Sequence, residues 1–74
     1  MSGLPVISGG KLIKILTNKH GFIIKAKKGS HVRLVHPDGR RKTTVPLHGE
    51  LDRGTLKAIL EQTEINIEEF KLDL

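Results

Sequence analysis

The middle of this 74-residue chain decides most of what it can become. Pro37-Asp38-Gly39 is a turn by its chemistry: proline presets φ, aspartate bonds its own backbone, and glycine accepts φ > 0. On either side, His31–His36 and Arg41–Pro46 alternate in the manner of strands, with β-branched side chains in each, and Phe22–Lys28 does the same upstream. The spacing predicts a three-stranded antiparallel meander over residues 22–46. Ahead of it, Leu12, Ile13 and Leu16 recur at helical spacing between a capping Ser8 and the stop signal Gly21. Behind it, a second helix is expected from near Asp52 with Leu56, Ile59 and Leu60 on one face. Asn66 is placed to cap a last short helix carrying Ile67 and Phe70 back to the core.

This order gives an α+β fold, α-β-β-β-α, with a three-stranded antiparallel sheet packed on two helices. A chain this short can enclose one small core, so residues 1–74 are expected to form a single domain. The absence of cysteine excludes disulfides, thiolate zinc sites and a thiol nucleophile, and suits a reducing compartment. No apolar run approaches about 18 residues. Met1–Ser8 has neither the basic start nor the continuous apolar segment of a signal peptide. The expected location is cytoplasmic, without membrane contact.

The register of the first hairpin decides which side chains share a face. A two-residue Gly29-Ser30 loop would pair Lys27 with Val32 and Lys25 with Leu34, mixing charge into the apolar face. A connection of Lys28, Gly29 and Ser30 avoids this and aims Phe22, Ile24, Ala26, Val32 and Leu34 at the helices. The solvent face then displays Ile23, Lys25, Lys27, His31, Arg33 and Val35, a basic stripe with one histidine in it.

Charge is divided unevenly along the chain. Residues 1–48 carry ten Lys and Arg against one acid, Asp38, whereas residues 49–74 carry three basic residues and seven acids. A net +9 in one segment and −4 in the other predict a basic working surface and an acidic C-terminal one, with a polyanion such as RNA or DNA as the natural partner. Charge kept for solubility alone is the plainer account of the same composition. With no Trp or Tyr and only Phe22 and Phe70, the chain is poorly equipped to stack single-stranded bases.

Proton transfer near neutrality falls first to His20, His31, His36 and His48. No histidine pair sits at i, i+4 on a helix, there is no HExxH, and the acids lie far along the chain from the basic segment, so neither a metal site nor a metallic cofactor is expected. His20 at a helix end reads as a partner of the helix dipole, and His36 before Pro37 as cover for a turn. His31 differs, because it starts a strand after a Gly-Ser turn among cations that would attract a phosphate. An exposed strand histidine of no catalytic importance fits the same residues. Ser30 lacks a triad. Gly9-Gly10 could offer amides to a phosphate at the start of the first helix but has no other part of a phosphate-binding loop.

From Ser8 through Phe70 the chain resembles the HicA toxins of bacterial toxin–antitoxin modules, also described as YcfA-like. The matching pieces are SGGKLIKIL, HGF, KKGSHVRLVHPDGRR, TTVPLHGELDRGTLKAIL and IEEF, with GSH, VPLH and GTLKAIL jointly specific at these separations. The resemblance implies a fold similar to double-stranded-RNA-binding domains. It also implies a metal-independent mRNA endoribonuclease that blocks translation, in which the histidine of GSH, His31 here, is catalytic. Gly29 and Ser30 belong to the same motif and would orient it. His48 falls in VPLH, where fixing the loop before the second helix is its expected part. The family often has Arg or Gln just before GSH, where this chain has Lys27 and Lys28, which keep charge without the bidentate guanidinium. A HicB-type antitoxin is the implied partner, in a toxin–antitoxin hetero-oligomer.

In such a reaction His31 is the expected base or acid. Lys25, Lys27, Lys28 and Arg33 would bind substrate and stabilise phosphate charge, and the 2′-OH requirement selects RNA. The antitoxin would cover either this stripe or the acidic segment Glu61–Asp73. The competing readings are a non-catalytic double-stranded-RNA-binding module and a protein-interaction adaptor.

Overall fold

The computed structural model describes residues 3–74; Met1 and Ser2, at the start of the segment read as lacking a signal peptide, lie outside the described residues. The element order is α1 (Gly9–Lys19), β1 (Ile23–Lys28), β2 (His31–Val35), β3 (Lys42–Pro46), α2 (Arg53–Thr63) and α3 (Ile67–Leu72). The fold is α+β with an open antiparallel sheet ordered β1-β2-β3, and the short third helix is the one announced by Asn66.

Each helix starts on a capping side chain, Ser8 and Asn66 as expected and Asp52 where the second helix was expected to begin. Ser8 Oγ accepts from the Lys11 amide at 3.1 Å, Asp52 Oδ1 from the Thr55 amide at 2.7 Å, and Asn66 Oδ1 from the Glu68 amide at 2.7 Å. Helix α1 ends at His20, followed by Gly21 at φ +75°, and the Phe22 amide then bonds the Leu16 carbonyl at 3.0 Å. Helices α1 and α2 lie over β3, while Val32 and Leu34 of β2 and Val45 of β3 meet Leu12, Leu16, Leu56, Ile59 and Leu60 in one buried cluster. Phe70 of α3 is fully buried in the same cluster.

The register of the first hairpin is not the one expected. Lys28 pairs with His31 across a two-residue Gly29-Ser30 turn, with Gly29 at φ +59° in the glycine-first pattern of a type II′ hairpin. Lys27 does pair with Val32, and a bulge between Ile24 and Ala26 restores Ile24 opposite Leu34. Paired residues share a face, so Ala26, opposite Arg33, lies on the outer side, and Lys27 lies at the rim of the inner one. Ala26 thus leaves the face expected for it, whereas Ile24 keeps its face, that of buried Leu34, without the expected cover. All of β1 is exposed, Ile24 at 52%, because the helices cover β2 and β3 and leave the first strand overhanging.

Candidate functional site

Two motifs that are far apart in sequence meet at one end of β2. His31 is opposite Pro46 in the β2–β3 ladder, and the Leu47 amide continues that ladder by donating to the Ser30 carbonyl at 2.6 Å. The Gly-Ser-His turn therefore lies against the Val-Pro-Leu-His segment. Helix α1 is locked to the same place: the Gly9 amide donates to the His48 carbonyl at 2.9 Å, and a Cβ built on Gly9 would stand 1.9 Å from the Pro46 carbonyl oxygen. This accounts for Gly9 and removes its amide from the phosphate reading of Gly9-Gly10. One amide is bonded within the protein and the next but one, Lys11, is taken by Ser8.

The four histidines separate by their surroundings. His20 Nε2 is 2.6 Å from Asp73 Oδ2, with both side chains largely buried, so it ties the end of α1 to the end of α3 in addition to standing at a helix terminus. His36 covers the turn as expected: its ring meets Phe22 edge-on, Nδ1 accepts from the Asp38 amide, and Arg41 Nη2 lies 3.0 Å from Nε2. His48 is exposed, and its carbonyl bonds Gly9. His31 is exposed on the outer sheet face, and among the described residues its ring makes no hydrogen bond or ion pair.

Around His31 the outer face carries Lys28, Arg33 and, from β3, Lys42 and Thr44. Lys25 sits in the bulge and Lys27 turns to the other side, so the stripe keeps its charge with different members from those expected. Lys42 and Thr44 join the site beyond the residues expected there, and the period of two that puts Val45 inside sends both of them outward. Among the described residues none of Lys25, Lys27, Lys28, Arg33 and Lys42 pairs with a carboxylate.

The other cations of the sheet region are spent on structure. Arg41 Nε donates to Asp38 at 2.7 Å, its guanidinium lies over the Phe22 ring, and Nη1 reaches the Thr63 carbonyl. Arg40 makes a two-bond pair with Glu64 at the end of α2. The Arg40 amide first, then the Arg41 side chain and amide, hold the Asp38 carboxyl far below the usual carboxylate range. Arg40 lowers Glu64 in the same way, and Glu64 raises Arg40.

Two concavities flank this framework. One of about 590 Å³ is lined by Arg33, Lys42, Thr43, Thr44 and Gln62. The other, about 800 Å³, is lined by the N-terminal segment, α2 and the turn into α3, with no residue of the sheet. Among the described residues no three His, Asp or Glu side chains gather where they could hold a metal ion, and no helix is long and apolar enough to cross a membrane.

The architecture is that of a small α+β protein whose open sheet face is basic and whose helices close the other side. The family model for the HicA toxin of bacterial toxin–antitoxin modules matches residues 9–65, from the first residue of α1 through the turn after α2. The chain belongs to the HicA toxin family, which makes it the toxin of a toxin–antitoxin pair and implies a HicB-type antitoxin as its partner. A search of curated proteins finds no match to it.

Proposed function

We propose that residues 1–74 act as one RNA-cleaving domain, a metal-independent mRNA endoribonuclease that inhibits translation through His31. The observation that carries this reading is that His31 stands exposed and unbonded among Lys28, Arg33 and Lys42, whereas His20 and His36 are tied into the fold. The imidazole takes the proton from a ribose 2′-OH, and the 2′-oxygen attacks the adjacent phosphorus. The bond to the 5′-oxygen breaks, leaving a 2′,3′-cyclic phosphate and a 5′-hydroxyl. Lys28 and Arg33 stabilise the charge on the crowded phosphate, and the Gly29-Ser30 turn sets the direction of the imidazole. On an open face, water reaches the departing oxygen and supplies its proton, so turnover is slow.

A second reading, a non-catalytic module that holds duplex RNA by its phosphates and 2′-hydroxyls, is favoured by one observation: His31 lines neither concavity and has no second acid or base bonded to it. Cleavage of a structured mRNA in excess EDTA separates the two. The native chain is expected to cut it, His31→Ala to cut about 10²- to 10⁴-fold more slowly while keeping its circular dichroism, and DNA of the same sequence to stay intact. Retardation of the RNA by both proteins with cleavage by neither would establish the binding module instead.

A further inference from the structure

The concavity at the β3 edge has an unusual donor set. Arg33 and Thr44 are directly paired across β2 and β3, and Lys42 lies two residues from Thr44 on the same face. Gln62 of α2 completes the rim, with its Oε1 taken by the Thr43 hydroxyl at 2.6 Å, which leaves the amide nitrogen as the free end of that side chain. The lining thus offers a guanidinium, an ammonium, a hydroxyl and an amide NH₂, and no carboxylate. Elsewhere in this hairpin the same residue types are neutralised, Arg40 by Glu64 and Arg41 by Asp38, yet Arg33 and Lys42 have no acidic partner among the described residues.

We infer that Arg33, Lys42, Thr44 and Gln62 form a subsite for a backbone phosphate next to the one cleaved, fixing how RNA lies across the sheet. This rests on the reading of the chain as an RNA-binding enzyme and adds a second contact point to it. Arg33 follows His31 by two residues on the same face, about 7 Å along the strand, which is the scale of one nucleotide step. A strand with one phosphate at His31 and Lys28 therefore brings its neighbour to Arg33 and Lys42. Arg33 lies between the two positions, and its planar fork can bridge both phosphates. The larger concavity does not compete for this part, because no residue of the sheet lines it and its Arg53 and Lys57 are offset by Glu61 and Glu64.

The test uses a short single-stranded RNA and His31→Ala protein, so that binding is read without cleavage, by fluorescence anisotropy over a series of salt concentrations. Lys42→Ala and Thr44→Val are compared with Lys14→Ala, which removes the same charge from the exposed side of α1. Lys42→Ala is expected to weaken binding roughly tenfold, as for loss of a charge-assisted hydrogen bond, and to flatten the slope of log K against log salt by about 0.7. Thr44→Val is expected to weaken binding several-fold with an unchanged slope, and Lys14→Ala to do little. Equal losses from Lys42→Ala and Lys14→Ala would mean a diffuse effect of net charge and overturn the subsite. RNA binding that ignores Lys42 and Thr44 would overturn it too while leaving the ribonuclease reading intact, and no RNA binding at all would overturn both.

Discussion

Gly9 and Gly10 are neighbours in sequence with opposite physical meanings. A Cβ on Gly9 would enter the Pro46 carbonyl at 1.9 Å, a backbone contact that no rotamer can relieve, whereas a Cβ on Gly10 meets nothing within 4 Å. Gly9→Ala is therefore expected to destabilise the fold by about 2–3 kcal/mol, as overpacking does, lowering Tm by roughly 10–20 °C in a domain of this size. Gly10→Ala relieves the entropic cost of glycine in an exposed helix turn and is expected to stabilise by up to about 1 kcal/mol. Paired thermal melts check both signs at once. Helix periodicity marks this dipeptide only as a start; the constraint on Gly9 comes from a strand whose end is 37 residues later, and no local pattern reports it. The histidines repeat the lesson. That His36 serves the Pro-Asp-Gly turn is readable from its place beside Pro37, but the bond from His20 to Asp73 spans 53 positions and shows only when the chain is folded.

At the level of elements, the meander, its turn residues and the starts of all three helices were legible because each is written in local chemistry: Ser8 and Asn66 cap, the second helix begins at Asp52, and Gly21 and Gly39 take positive φ. The register of β1 was not. Ile23 to Lys28 can satisfy alternation with an odd loop or with a bulge, and the sequence pattern is the same for both. The bulge, the lysines and the free edge of β1 go together, since a kinked and charged edge discourages pairing with another chain. The Asp38 turn carries a pH dependence. Its carboxyl titrates lower in the folded protein than in the unfolded chain, so its contribution is complete above about pH 4 and is lost as pH falls through the folded value. Asp38→Asn is expected to flatten this acid limb in melts between about pH 2 and 5, leaving the neutral-pH dependence unchanged. Helix α3 lies beyond the residues matched by the family model, yet its Phe70 is fully buried. Phe70→Ala is expected to cost about 3–5 kcal/mol. A chain of this length has only about 4–11 kcal/mol of stability to lose, so denaturant titration should show a large fraction of molecules unfolded.

Across the whole molecule, the uneven charge of the sequence survives folding in a reduced form. Asp38 and Glu64 cancel Arg40 and Arg41, so the basic field concentrates on the sheet, where Lys28, Arg33 and Lys42 surround His31. The acidic segment is diluted in turn: Arg53, Lys57 and Lys71 are interspersed with its acids, and Lys71 lies 4.0 Å from Glu68. Of the two faces left open for the antitoxin, the sheet therefore has the stronger and less compensated potential, and a partner with acidic side chains is steered to it fastest. With His31→Ala protein and its cognate antitoxin, Lys28→Glu with Arg33→Glu is expected to slow association at least tenfold at low salt and to weaken its dependence on ionic strength. At about 0.15 M salt, where the Debye length is about 8 Å, Glu61→Lys with Glu68→Lys should leave the association rate within about twofold, since charges far from the contact are then screened. Stopped-flow association at several salt concentrations measures both. Equal slowing by the two pairs would mean that the antitoxin wraps both faces, and slowing by the second pair alone would move the interface to the C-terminal helices and leave the sheet free for RNA in the complex.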